Sequence, residues 1–360
     1  MRFVFFYHSL VSDWNHGNAH FLRGIASELL SRGHQVDVYE PADGWSLHNL
    51  RAQHGEDPLK AFANAYPTLR TNLYQELNVK RLLQDADVVL VHEWNDPELV
   101  AAIGEERRSR KFGLFFHDTH HRAVTARKQM EAYDLRYYDG VLAYGRVLKN
   151  LYLEAGWTKR AWTWHEAADI RVFRPHPGAG KSEDVVWIGN WGDDERAAEL
   201  QEFFIDPVKA LGCKGLVHGV RYPESALAAL SGAGIEFRGW VPNFKVPECF
   251  AAARVTVHVP RRPYTEALPG IPTIRPFEAL ACGIPLVSAL WQDLEGLFTP
   301  GKDYLLARDG REMEQHLRKI LNNQSLSEDL AAHGLETIHS RHTCAHRVDQ
   351  LLHIYDELAL

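Results

Sequence analysis

Apolar runs of about five residues recur along the whole chain, each followed by a stretch with helical spacing. Runs that short and that apolar suit strands buried on both faces, as in a parallel sheet whose crossover connections are helices. The first half offers FVFFY (3–7), QVDVYE (35–40), DVVLVH (87–92), FGLFFH (112–117), GVLAY (140–144) and AWTWHE (161–166). The second offers DVVWIG (184–189), GLVHG (215–219), IEFRG (235–239), RVTVHV (254–259) and PLVSA (285–289). The pattern predicts two doubly wound α/β units. Between them FRPHPGAGKSED (173–184) combines proline stiffness with two glycines and reads as a linker. The expected division is a first domain over 1–172, the linker 173–184, a second domain over 185–343 and a terminal segment 344–360. In that last segment Val348, Leu351, Leu352, Tyr355 and Leu358 fall at helical spacing.

A chain of 360 residues is too long for one ordinary core, which agrees with two domains. Hydrophobic residues at 45% and charged ones at 24% are ordinary for a globular protein, so disorder is not expected. A formal charge of −7 without a basic tail gives no electrostatic case for a nucleic-acid or membrane partner. The dense basic run RRSRK (107–111) reads as a solvated helix end. Cys213, Cys249, Cys282 and Cys344 are scattered without a C-x-x-C pair, which suggests neither a disulfide framework nor a thiolate zinc site. The opening MRFVFFYHSL lacks a small-residue cleavage site and reads as a first strand, not a signal peptide. No run approaches 18 apolar residues, so no membrane span is expected, and a cytoplasmic location fits best.

Two stretches carry candidate chemistry. In IPTIRPFEALACGIPLVS (271–288), Pro276 suits the first helical position and Gly283 the left-handed stop. Arg275 then stands at the cap and Glu278 in the first turn. A guanidinium there adds charge to the helix dipole and can hold a diphosphate, while the carboxylate can accept both hydroxyls of a ribose. The spacing equally fits an Arg–Glu pair that stabilises a helix end by a few tenths of a kcal/mol. The second stretch is HDTHH (117–121), at the end of a strand. His117, Asp118, His120 and His121 suit a divalent metal by residue type, or are structural histidines. His92 and Glu93 end a neighbouring strand, and Asp96 before Pro97 looks like a helix cap. Trp14, Trp94 and Trp240 can stack on sugar rings or pack in the core.

RGWVPNFKVPECFAAARVTVHVP (238–260) followed by RPFEALACGIPLVS (275–288) resembles the donor-binding half of GT-B glycosyltransferases. The likeness is to the retaining family 4 enzymes and to the CgeB-like glycosyltransferases. GNAHFLRGIASELLSRGHQVDVYEP (17–41) is similar to that family's first loop and helix, and WHEAADIRVFRP (164–175) to its crossing into the second domain. The resemblance implies two Rossmann-like domains facing a central cleft. The first would be the acceptor side and the second the nucleotide-sugar side, with the last helix packing back on the first domain.

The resemblance also implies roles. Glu278 would bind the ribose, and Arg275 with the amides around Thr273 would face the diphosphate. Trp240, Val241, Pro242 and Asn243 would edge the base, largely through backbone atoms. Asn190 and Arg196 in WIGNWGDDER would add phosphate contacts, although Arg196 equally fits a solvated helix position. Gly17 and Asn18 would let the first loop approach the donor. His117, with Asp118, His120 and His121, would contact the sugar or the acceptor, and His117, Arg275 and Glu278 form the catalytic set. One departure stands out. The family usually carries two glutamates separated by seven residues, and counting back from Glu278 reaches Gly270; Glu266 is a candidate substitute.

The implied activity is transfer of a sugar from a nucleotide donor, UDP- or GDP-linked, to a hydroxyl-bearing acceptor. Retention, no cofactor and no metal are expected. A nucleotide-sugar epimerase of the same fold and a binding protein without turnover are the alternatives, since fold alone does not decide function.

Overall fold

The computed structural model describes residues 1–358. The residues divide into two compact units, one of Met1–Glu166 together with the chain from Cys344 onward, the other of Ala167–Thr343. Ala359 and Leu360, at the end of the expected terminal segment, lie outside the described residues.

The first unit is built on a seven-stranded sheet of β1 (Arg2–Phe6), β2 (Gln35–Pro41), β3 (Thr71–Tyr74), β4 (Val88–His92), β5 (Gly113–Asp118), β6 (Gly140–Ala143) and β7 (Ala161–Thr163). Its order is β3-β2-β1-β4-β5-β6-β7, with every pair parallel. The second unit carries β8 (Glu183–Ile188), β9 (Gly215–His218), β10 (Ile235–Phe237), β11 (Ala253–His258), β12 (Leu286–Ala289) and β13 (Leu305–Ala307). Their order is β10-β9-β8-β11-β12-β13, again parallel throughout. In each sheet the winding direction reverses once, between β1 and β4 and between β8 and β11. Crevices open beyond the carboxyl ends of strands at such reversals, and they are where ligands of this fold class bind.

All eleven apolar runs form strands. Two further strands, β3 and β13, escape the pattern because TNLY mixes polar with apolar residues and LLA is too short to stand out. The run 161–166 keeps only three residues in the ladder. Trp164 leaves it and is fully buried, donating from Nε1 to the Arg347 carbonyl at 2.8 Å. That contact lies within the first unit, where the helix Cys344–Asp356 buries Val348, Leu351 and Ile354.

The helix of the 271–288 stretch starts earlier than its proline suggests. It spans Ile274–Ala281, with Thr273 at the N-cap and Pro276 at the third position. A proline there loses no intrahelical bond, because the first four N–H groups have no partner within a helix. Arg275 is therefore the second helical residue, not the cap, and Glu278 begins the second turn. Thr273 has φ 61° and ψ −179°, a backbone region that a β-branched residue rarely adopts. Gly283 ends the segment at φ 63°, as its position predicts.

One glycine sets how closely the strand ends approach. A Cβ on Gly219, just past β9, would lie 1.9 Å from the Gly189 carbonyl oxygen just past β8. Gly189 in turn donates to the His218 carbonyl at 2.9 Å. Gly219→Ala must push these two loops apart, at an expected cost of about 1–3 kcal/mol. Gly232→Ala, where nothing lies within 4 Å of the added carbon, should leave stability unchanged or raise it. Urea denaturation of the two variants checks the contrast.

Candidate active site

In the second unit the carboxyl ends of β8 and β11 and the start of the helix Ile274–Ala281 bring basic side chains together. Arg196, which by sequence fits a phosphate contact or a solvated position equally, is half-buried. Its guanidinium lies over the Trp187 ring at 4.9 Å and donates to three neutral oxygens: the Asn190 carbonyl at 2.6 Å, Asn190 Oδ1 at 2.5 Å and the Val259 carbonyl at 3.2 Å. Burial lowers its pKa to about 9, and the neighbouring Arg261 and Arg275 add to the shift. Arg261 itself donates to Asn190 Oδ1 at 3.1 Å and pairs with Glu195 at 2.6 Å. His258, at the end of β11, is held neutral: burial first, then Arg196 and Arg275, lower its pKa to about 3. Its Nδ1 meets Ser288 Oγ at 2.9 Å, and its buried Nε2 has no protein partner. Arg261 and Arg275 each have a carboxylate partner and Arg196 has neutral oxygens only, so an added anion would be stabilised at this end of the sheet.

Arg275 and Glu278 form the pair that their spacing allows, Arg275 Nη1 donating to Glu278 Oε2. The other carboxylate oxygen accepts from Asn243 Nδ2 at 2.8 Å. Glu278 is completely buried and Asn243 nearly so. Asn243 thus enters through its side chain, not only its backbone as expected for the 240–243 segment. Trp240, Val241 and Pro242 are partly buried beside it, and Pro242 precedes the turn Asn243–Lys245.

The expected substitute for the absent glutamate is placed elsewhere. Glu266 is exposed at the end of the one-turn helix Arg262–Glu266. Against Gly270, whose φ is +98°, stands a different carboxylate: Glu295 Oε1 lies 3.4 Å from where a Cβ on Gly270 would be. Glu295 and Arg261 both escape sequence reading. Glu295 comes from a loop beyond β12, and Arg261 follows an apolar strand with no motif around it.

The first unit gathers histidines at the carboxyl ends of β1, β4 and β5. His92 and His117 are paired in register on adjacent strands, with ring centroids 5.6 Å apart. His117 is walled by Phe21 at 5.9 Å and Trp164 at 4.9 Å, and neither of its buried ring nitrogens has a protein partner. Burial lowers its pKa to about 3 and that of His8 to about 4, and it holds His16 and His92 well below the usual range. Asp118 turns away to accept from the His120 amide at 3.0 Å and the Tyr152 hydroxyl at 2.7 Å; burial raises its pKa to about 6. Glu93 is paired with Arg122 at 2.9 Å. His121 Nδ1 meets Thr125 Oγ1 at 2.9 Å, and the His120 ring lies 4.0 Å from that of His121. Among the described residues no three of His, Cys, Asp and Glu converge as a metal site requires. Gly17 is exposed, and Asn18 ties the first loop to β5 by donating to the Thr119 carbonyl at 3.2 Å and to its hydroxyl. Thr119 Oγ1 also meets His92 Nε2 at 3.0 Å.

Residues 15–171 match the family model described as Glycosyltransferase Family 4, and residues 196–353 match the one described as Glycosyl transferase-like. The chain therefore carries the paired domains of a glycosyltransferase of the GT-B fold. No curated protein matches it. Among solved structures, a sucrose-phosphate synthase from Thermosynechococcus elongatus is 15% identical with a TM-score of 0.69, over 99% of both chains. The Anabaena protein HepE, in complex with UDP and glucose, is 15% identical with a TM-score of 0.67, over 99% of this chain and 100% of that one. A glycosyltransferase from Rickettsia africae is 10% identical with a TM-score of 0.68, over 99% and 98%. No helix among the described residues is long and apolar enough to cross a membrane.

The histidine cluster makes stability depend on acid. A histidine with a depressed native pKa binds fewer protons folded than unfolded, so its contribution is complete above the unfolded value of about 6.5 and is lost as pH falls toward the native value. For His117 that window runs from about 6.5 down to about 3. Asp118, raised to about 6, acts in the opposite direction over part of the same range. The informative quantity is therefore a difference: His117→Gln should lose less stability than the wild type between pH 6.5 and 4.5, by at most about 1.4 kcal/mol per pH unit. Denaturant melts across that range measure it.

Proposed function

We propose that the protein transfers a hexosyl group from a UDP-linked donor to an acceptor hydroxyl, with retention at the anomeric carbon and without a metal. The observation that carries the reading is Arg196: a half-buried guanidinium hydrogen-bonded only to neutral oxygens, with Arg261 and Arg275 beside it. Such a cluster suits the diphosphate of the donor and the charge that grows on it as the glycosidic bond breaks. Arg275 gives Glu278 one N–H and keeps others for phosphate oxygens. Glu278 would accept the ribose hydroxyls, oriented by Asn243. Thr273 supports the same reading: strained backbone of this kind costs about 1–3 kcal/mol and concentrates at ligand-binding turns. The solved HepE complexes with UDP and with UDP-glucose favour uridine over guanosine.

In the second unit Glu295 would contact the sugar in place of an acid at position 270. In the first unit His117 has ring nitrogens that can donate to one hydroxyl and accept from another, which suits a sugar or acceptor hydroxyl. The C1–phosphate bond breaks, a bond from C1 to the acceptor oxygen forms, and the acceptor proton leaves with the phosphate. The segment expected as the linker, 173–184, lies within the second unit, and its last two residues already belong to β8.

Glu278→Gln should weaken UDP binding by roughly 10- to 100-fold, the loss of about 1.5–3 kcal/mol typical of a charged hydrogen bond. Calorimetry with UDP measures it, and unchanged affinity reduces Glu278 to a helix-stabilising residue.

His117→Ala and Glu295→Gln should instead lower turnover at least tenfold and leave UDP affinity within about twofold, because both would touch only the sugar. The effect is read as UDP release from UDP-glucose in the presence and absence of EDTA, which should make no difference. With donor alone, slow hydrolysis is expected; an isomerised donor identifies an epimerase, and binding without any product a sensor.

A further inference from the structure

We propose that the acceptor is an uncharged saccharide, seated on the carboxyl edge of the first unit's sheet between Trp45 and Trp94. This rests on the transferase reading and names the class of molecule that receives the sugar. Trp45 and Trp94 are 47% and 41% exposed, and they are the two tryptophans among the large hydrophobic residues that the protein leaves open. Both follow the carboxyl ends of strands, Trp45 after β2 and Trp94 after β4, with β1 between them. Strands two places apart are separated by about 10 Å, a span that accommodates consecutive sugar rings. Indole faces suit the apolar C–H faces of such rings.

Each tryptophan is held rather than loose. Trp14, which the sequence offered as a platform, is buried and braces Trp45 edge-on at 5.0 Å, donating from Nε1 to Gln53 Oε1 at 2.8 Å. Trp94 has the Arg122 guanidinium over its ring at 4.4 Å and the rings of His8 and His120 at 6.1 and 5.2 Å. A rigid aromatic surface loses little entropy when a ligand settles on it.

The polar groups around Trp94 decide against an anionic acceptor. Arg122 is already paired with Glu93. The half-buried His8 is neutral at physiological pH, and so are His16 and His92 behind it. A neutral imidazole offers one donor and one acceptor, which matches a hydroxyl; a phosphate or carboxylate needs donors and positive charge. The exposed Arg146 follows β6, two strands beyond β4.

The test is an array of immobilised oligosaccharides, neutral on one half and phosphorylated, sialylated or uronic on the other, probed with fluorescently labelled protein. Binding should appear on the neutral half. It should fall at least tenfold in Trp45→Ala and in Trp94→Ala and be largely restored in Trp94→Phe, with melting temperature and UDP affinity unchanged. Binding confined to the anionic half, no binding to either half, or neutral binding indifferent to both tryptophans overturns the proposal. Loss of the transferase reading shows separately, as a wild-type protein that fails to bind UDP in calorimetry.

Discussion

Every strand in both sheets is parallel, and this one constraint determines where chemistry can occur. Parallel strands point all their carboxyl ends to one edge of a sheet, so the residues that follow each strand collect there however far apart they are in sequence. His8, His92 and His117 meet in this way from three separate strands, and Asn190 meets Arg261 from two in the other unit. Buried strands supply a rigid floor of Val, Ile and Phe beneath, and the loops above it are free to carry polar side chains.

Those edges hold groups that cost free energy where they stand. His117 has two buried ring nitrogens without a protein partner, His258 has one, and Arg196 is charged beside two other arginines. Thr273 adds a backbone conformation that favours glycine. A fold without a ligand to receive would gain stability by replacing each of them.

The two edges differ in electrostatic character. The second unit presents arginines around a helix start, the environment that an anion needs. The first presents imidazoles kept neutral by burial, carboxylates satisfied by Arg122, Tyr152 and backbone, and exposed indoles. A donor with a charged diphosphate and an acceptor with only hydroxyls would divide between them on chemistry alone.

Most of the architecture was legible because strands buried on both faces must be apolar throughout, and eleven of the thirteen carry a short apolar run, most of them fully buried. β3 and β13 were not, since TNLY interrupts its apolar residues with polar ones and LLA is only three residues long. Arg275 and Glu278 were legible as a pair because their spacing is local, and the helix geometry does bring them together. What locality cannot carry is contact between distant segments. Asn243 reaching Glu278 across 35 residues, Arg261 joining Arg196 and Glu295 standing against Gly270 depend on how β8, β11 and the loops beyond them are brought together. The amino-acid order by itself determined the strands, the helix that carries Glu278 and the want of an acid at position 270. Only the tertiary structure decided which carboxylate stands at that place and which arginine lacks a carboxylate partner, because both are settled by side chains meeting across the sheet edge.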